Sequence, residues 1–282
     1  MNHEELKTQI KKIICQRTNH QFIAITTRGD AAIKAALTIL PKDKTLLIPQ
    51  EGGWLSYHKI PKEKKIPFLE VHCIDAKIDL SDLQQKLASN SCSAFLYQNP
   101  GGYFAEQPSR EIYQLCQKYH CLVILDASGS IGTSLCDGRF ADLIIGSFGE
   151  WKLVEAGKGG FISCNNQKIF DSLTLKELDD HAALATIKEN LEILDQRINF
   201  LTQRREKVIS DLKEFKIIHP ADLGFVVVLA FSSPEEKENI INYCQKNGLE
   251  WTECPRYIRV QRAAISIEIK RLQQNKEDSN KI

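Results

Sequence analysis

Leu122-Val123-Ile124-Leu125-Asp126-Ala127-Ser128-Gly129 and Leu143-Ile144-Ile145-Gly146-Ser147-Phe148-Gly149-Glu150-Trp151-Lys152 decide how this chain folds. Each opens on a short aliphatic run, the signature of a strand buried on both faces. The first run delivers a carboxylate, Asp126, and the second leads to an amine, Lys152. Upstream, Ala94-Phe95-Leu96-Tyr97 runs into Gln98-Asn99-Pro100-Gly101-Gly102 and presents an amide. The carboxyl ends of strands form the ligand-binding edge of open α/β sheets. One amine, one carboxylate and one amide at three such ends therefore mark a single candidate site.

The surrounding chain supports that sheet. Strands are expected at Phe22–Thr26, Thr45–Pro49, Phe68–His72, Ser93–Tyr97, Leu122–Asp126, Leu143–Ser147 and Gly160–Ser163. An amphipathic helix over 4–17 precedes them, and helices at Asp30–Leu40, Leu80–Leu87 and Pro108–Tyr119 lie between them. Such alternation predicts an α/β fold, a mainly parallel sheet sandwiched by helices. Residues 166–214 lose the strand pattern and place Leu191, Leu194, Ile198 and Leu201 at helical spacing. Beyond them a strand at Phe225–Phe231, a helix at Pro234–Lys246 capped by Ser233, and a strand at Tyr257–Val260 suggest a small α+β domain. The expected plan is a large domain over 1–165, a helical connector over 166–214 and a small domain over 215–282, with a frayed charged tail from Gln273.

Composition narrows the function classes. With 37 basic against 36 acidic residues, no global field favours nucleic acid or acidic membranes. No apolar run reaches the roughly 20 residues of a membrane span, and the polar start Met1-Asn2-His3-Glu4-Glu5 is no signal peptide. A cytoplasmic chain is expected. Its nine cysteines include no Cys-x-x-Cys pair and mostly sit in apolar contexts, so they read as reduced structural thiols without a metal. Cys254, before Pro255-Arg256, is the one in a polar, exposed setting.

The amine, the acid and a phosphate turn together are what a protein supplies to pyridoxal phosphate. Lys152 is the candidate for the cofactor's aldehyde, its pKa lowered by burial; taken alone it reads as a surface lysine. Asp126 is the candidate partner of the ring nitrogen, since four aliphatics should not end in an unpaired carboxylate; alone it equally suits a helix cap or a magnesium ligand. Thr26-Thr27-Arg28-Gly29-Asp30 is a strand–turn–helix start whose backbone N–H groups suit an anion. Asp30 would repel a phosphate and is expected to cap the helix, leaving Arg28 or Ser147 as donors. Trp54, after Gly52-Gly53, suits either a planar ring or the core. A nucleotide site is disfavoured, because no Gly-x-Gly-x-x-Gly or Walker lysine follows the first strand.

In order, Asn99-Pro100-Gly101-Gly102, Leu122–Gly132, Ser147–Lys152 and Gly157-Lys158-Gly159-Gly160-Phe161 resemble the aspartate aminotransferase superfamily. These are the fold-type I pyridoxal-phosphate enzymes, and the nearest flavour is the amino-sugar aminotransferase and cysteine-desulfurase-like branch. The resemblance spans about residues 25–165. It implies Lys152 as the internal-aldimine lysine and proton shuttle, Asp126 on the ring nitrogen, Asn99 on the ring hydroxyl and Ser128 beneath the ring. It implies Trp54 stacked above the ring, and Gly29, Asp30 and Ser147 at the phosphate. It further implies a homodimer acting on a small amino donor and acceptor, most commonly by transamination. A lyase or desulfurase-type enzyme and an inactive partner subunit are the alternatives.

Some residues depart from the family's pattern. Only 28 residues precede the turn glycine, so the usual N-terminal segment is shortened; Gly52-Gly53 should make the Trp54 loop flexible; Asp30 stands where a small hydroxyl residue is common. Arg256, Arg259 and Arg262 cluster near the end, and strand register selects Arg259 for a substrate carboxylate, against a solvated basic strand edge. Cys254 lies too close to Arg259 to match a desulfurase pattern.

Overall fold

In the computed structural model, which describes residues 2–273, the aliphatic runs become the inner strands of one sheet. Chain order begins α1 (His3–Thr18), β1 (Phe22–Thr26), α2 (Gly29–Thr38), β2 (Thr45–Pro49), α3 (Ser56–Lys64) and β3 (Phe68–Val71). A hairpin of β4 (Cys73–Ile74) and β5 (Lys77–Ile78) leads to α4 (Leu80–Ser89), β6 (Cys92–Gln98), α5 (Ser109–Lys118), β7 (Leu122–Asp126), β8 (Leu143–Ser147) and β9 (Gly160–Cys164). The large sheet has seven strands in the order β1-β9-β8-β7-β6-β2-β3. Only β9 runs against its neighbours; the pairs β2–β3, β2–β6, β6–β7 and β7–β8 are parallel.

Side chains alternate across this sheet as the two-residue strand period requires. Phe95, Tyr97, Val123 and Leu125 face one hydrophobic core, with α1 and α5 packed over them. Ala94, Leu96 and Ile124 face another beneath α2 and α3. β7 is the central strand, so Asp126 emerges at mid-sheet, on the edge where ligands bind.

Three further helices follow: α6 (Gln167–Ser172), α7 (His181–Glu192) and α8 (Leu194–Asp211). The C-terminal α+β domain then contains β10 (Lys216–Ile218), β11 (Val227–Ala230), α9 (Pro234–Lys246), β12 (Trp251–Cys254) and β13 (Ala264–Ile267). Its four strands are antiparallel in the order β10-β11-β13-β12. Helix α9 begins as its sequence predicts, with the Ser233 hydroxyl accepting from Glu236 N and Pro234 in the first turn. The expected strand at Tyr257–Val260 is instead a turn between β12 and β13. Pro255 has no N–H to give a ladder, and Arg256 N and Arg259 N bond to Val260 O and Arg256 O within the segment. The tail beyond Gln273 lies outside the described residues. No described helix is long and apolar enough to cross a membrane.

The Gly52-Gly53 loop is fixed where flexibility was expected. Buried Glu51 accepts from Ala76 N at 2.7 Å and Gln261 N at 2.6 Å, joining the hairpin to the C-terminal domain. Gly52 N donates to Tyr257 O at 2.7 Å, and Gly102 N to Gly52 O at 2.6 Å. Gly52 has φ +77, and a Cβ on Gly53 would lie 2.6 Å from the Tyr257 hydroxyl oxygen. The glycines serve close backbone approach.

Candidate active site

The ends of β7 and β8 and the start of α2 enclose a cleft of about 670 Å³, including its open mouth. Gly29, Asp30, Trp54, Asp126, Ser128, Ser147 and Lys152 all line it. Seven of the residues singled out from the sequence are thus brought together. Asn99 and Arg259 are not among the lining residues.

In the cleft Asp126 is 4% exposed, and each of its carboxylate oxygens accepts one donor. The Tyr57 hydroxyl donates to one oxygen at 2.7 Å and Ser128 N to the other at 2.9 Å. Tyr57 is held well above the ordinary phenol pKa by burial and by Asp126, so it remains a donor. Across the cleft, Lys152 Nζ sits 5.4 Å from the Trp54 ring centre and 5.2 Å from that of Tyr103. Burial pulls the Lys152 pKa down, as expected from its sequence. The Tyr103 phenol and the Asp126 carboxylate outweigh it, however, and the net shift is upward. The lowered pKa expected of Lys152 is therefore corrected: two acidic partners face it.

Lys152 reaches this position through Trp151, whose φ of 58° is left-handed. Bulky residues rarely take that conformation, at a cost of about 1–3 kcal/mol. The Trp151 ring is covered by the Arg271 guanidinium at 4.2 Å, which offsets part of that strain.

The turn into α2, expected to hold a phosphate, is built by close contact. Arg28 is the N-cap and Gly29 the first residue of α2. A Cβ on Gly29 would lie 2.8 Å from Ser147 Cβ and 3.2 Å from its hydroxyl oxygen, so a side chain there would fill the cradle. Asp30 does not cap the helix as expected. Its carboxylate accepts from the Ser56 hydroxyl at 2.8 Å and Trp54 Nε1 at 3.3 Å, fixing the Trp54 ring over the cleft.

Asn99 is committed elsewhere. Its amide donates to the Ser109 hydroxyl at 2.9 Å and its oxygen accepts from Gln107 N at 3.0 Å, which holds the turn after β6. One hydrogen of its amide nitrogen is left over from these bonds, so the expected bond to a ring hydroxyl stays a proposal. Arg259, expected to hold a substrate carboxylate, is 2% exposed and bonded inside the C-terminal domain. It donates to the Ser266 hydroxyl, to Ile258 O and twice to Glu268. Those four bonds use all but one of its five N–H donors. The register assignment failed because Arg259 lies on a turn, not a strand. Cys254 is buried rather than exposed, and burial raises its thiol pKa. All nine cysteines are free thiols.

Next to the cleft lies a charge cluster that sequence reading did not find. Glu268 is ion-paired with Arg259 at 2.7 Å and Lys270 at 3.5 Å, with Arg271 at 3.8 Å. Burial pushes Glu268 up, but Arg259 and Lys270 bring it down to about 2. Lys270 also falls, to about 7: burial, Arg259, Lys152 and Arg271 together outweigh Glu268. Both directions hold because Arg259 claims the carboxylate and leaves Lys270 among cations. Lys270 Nζ stands 5.0 Å from the Tyr103 ring centre, so Tyr103 separates this cluster from Lys152. Tyr103 and Tyr57 were also missed. Tyr103 directly follows the noted Gly101-Gly102, whereas Tyr57 lies on α3, which gave no helical signal.

These residues fit pyridoxal phosphate. A buried carboxylate, a facing amine, an aromatic wall and a side-chain-free phosphate cradle all border one cleft. Relatives agree. The sequence profile of the DegT/DnrJ/EryC1/StrS aminotransferase family matches residues 9–190, and that of the MJ1341 family C-terminal domain matches 181–282. No curated protein matches the chain in sequence. A DegT DnrJ EryC1 StrS aminotransferase from Brucella abortus superposes with TM-score 0.79 at 13% identity, over 97% of this chain and 88% of that one. Helicobacter pylori PseC, an aminotransferase of pseudoaminic acid biosynthesis, gives 0.74 at 11%, over 93% and 85%. Serine palmitoyltransferase from S. paucimobilis gives 0.72 at 13%, over 95% and 72%. At such identities the likeness speaks for the fold, while the profile spans well over half the chain. The chain belongs to the DegT/DnrJ/EryC1/StrS aminotransferase family, and so to the pyridoxal-phosphate-dependent transferases.

Proposed function

We propose that this protein is an aminotransferase that holds pyridoxal phosphate in the cleft, anchored at Lys152, and moves an amino group between a small amino donor and an acceptor. The observation that carries this is Lys152 facing Asp126 across one cleft whose far end is the Gly29–Ser147 cradle. Bound there, the cofactor supplies the electron sink that loosens bonds at a substrate's amino carbon. Asp126, oriented by Tyr57 and Ser128, would pair with the ring nitrogen. Trp54, held by Asp30, would pack against the ring. Lys152 Nζ offers the anchoring amine and carries the proton taken from a substrate's Cα. Tyr103, beside that amine, is placed to orient it. Buried Cys254 lacks the exposed thiolate that persulfide chemistry needs, which favours transfer over desulfuration.

By likeness to fold-type I enzymes the working unit is a homodimer, testable by light scattering; the free thiols suit the reducing cytoplasm. The deciding experiment is an absorption spectrum with added pyridoxal phosphate. A new band that borohydride traps on Lys152, and that Lys152→Ala abolishes, is expected; no band at saturating cofactor refutes the proposal. Screening amino acids for keto-acid release with the side chain intact then separates transamination from elimination.

A further inference from the structure

Lys152 is held on one side by burial and on the other by a ring. Leu153 and Val154, which follow it, sink into the same hydrophobic core as Leu125. Trp151, which precedes it, is 40% exposed, so burial does little to fix its ring. Its backbone is nonetheless left-handed, at φ 58°. Across from it Tyr103, the ring beside the Lys152 amine, is left-handed as well, at φ 67°. Two bulky aromatics in a strained conformation thus flank one amine. Such strain persists only where the surroundings over-determine it.

What over-determines Trp151 is charge from the C-terminal domain. Residues Ile269–Arg271 make a single helical turn after β13. It is tied down by Lys270 N donating to Phe225 O and Arg271 N to Glu268 O, both at 2.9 Å. From this turn the Arg271 guanidinium lies 4.2 Å, and the Lys270 ammonium 5.5 Å, from the Trp151 ring centre. Both fall within the roughly 6 Å over which an aromatic face attracts a cation, and tryptophan is the strongest such ring. Arg271 is itself fixed by Glu250 at 2.6 Å. Lys270, buried at 6% exposure, also meets the Tyr103 ring at 5.0 Å, so one ammonium touches both strained aromatics.

Resting on the cofactor reading above, we propose that Trp151 is a positioning residue: gripped by Arg271 and Lys270 of the C-terminal domain, its ring sets where the Lys152 amine stands. The C-terminal domain thereby acts on the anchoring amine through an aromatic intermediary.

The test compares pyridoxal phosphate with deoxypyridoxine phosphate, which keeps the ring and phosphate but has no aldehyde. With the first, the Lys152 amine condenses with the aldehyde, forming a carbon–nitrogen double bond and releasing water. Borohydride then reduces that bond and leaves a stable mark on Lys152. Trp151→Gly keeps the left-handed backbone without steric penalty and removes only the ring. At saturating pyridoxal phosphate it should mark Lys152 about tenfold more slowly than the wild type, because a small misplacement of a reacting group is costly. Calorimetry should give it the wild-type affinity for deoxypyridoxine phosphate. The pH midpoint of marking should fall towards that of an ordinary lysine, as the amine leaves the Tyr103 and Asp126 groups that hold it up. Arg271→Met should slow marking about two- to fivefold, the worth of one cation–π contact. Trp151→Phe, which retains an aromatic face, should keep most of the rate. Wild-type marking in Trp151→Gly overturns the inference, as do equal losses towards both ligands. If the wild type itself is not marked at Lys152, the cofactor reading fails first and this inference with it.

Discussion

Replacing Arg259 with Met should damage the fold rather than substrate binding. Arg259 and Glu268 are each 2% exposed, and four guanidinium bonds converge on Glu268, Ser266 and Ile258. Removing one partner of a buried ion pair costs roughly 3–5 kcal/mol. Here Glu268 keeps Lys270 at 3.5 Å and Arg271 at 3.8 Å, which places Arg259→Met near the lower end, about 3 kcal/mol. At a urea m-value of about 3 kcal/mol/M, the unfolding midpoint should drop by about 1 M. The double variant Arg259→Met/Glu268→Leu removes both charges and should recover at least half of that loss, since apolar replacements of buried pairs are often neutral. Urea denaturation followed by circular dichroism, without cofactor, reads both effects. A single variant of wild-type stability with a tenfold higher KM would refute this placement and restore Arg259 to the substrate.

Asp126→Ala should raise the dissociation constant for pyridoxal phosphate by about two to three and a half orders of magnitude, the equivalent of about 3–5 kcal/mol for a lost buried charge partner; fluorescence titration checks it. Lys270 makes stability depend on pH. Its folded pKa, about 7, lies below its unfolded value, so the unfolded chain binds more protons between them and stability should climb from pH 7 towards 10. That climb should vanish in Lys270→Met, as urea midpoints across the range would reveal. Gly29→Ala drives a Cβ to 2.8 Å from Ser147. The turn must shift by overpacking, worth about 1–3 kcal/mol, so cofactor affinity should fall at least about fivefold while far-UV dichroism stays native.

Strands buried on both faces were legible because their aliphatic runs carry their own bounds. Phe22–Thr26, Thr45–Pro49, Leu122–Asp126 and Leu143–Ser147 agree with sequence to the residue. Helix α3 was not legible: Ser56–Lys64 holds an internal Pro61 and residues of modest helix propensity, so tertiary packing of Tyr57 and Ile60 forms it. The β4–β5 hairpin was hidden because Asp75 and Ala76 take φ of 51° and 67° without glycine to signal it. In the cleft, chemistry at strand ends was visible. Partners arriving from distant segments, such as Tyr57 on Asp126 or Glu268 on Arg259, were not, because nothing in local spacing connects them.

Glu51 gives the cleft a mechanical character. By bonding Ala76 N and Gln261 N together it works as a rivet across the two lobes, with Gly52 to Tyr257 as a second fastening beside it. A hinge needs a few residues free to change φ and ψ, and here the crossing segments are bonded on both sides. The two lobes should therefore hold their relative orientation at this crossing.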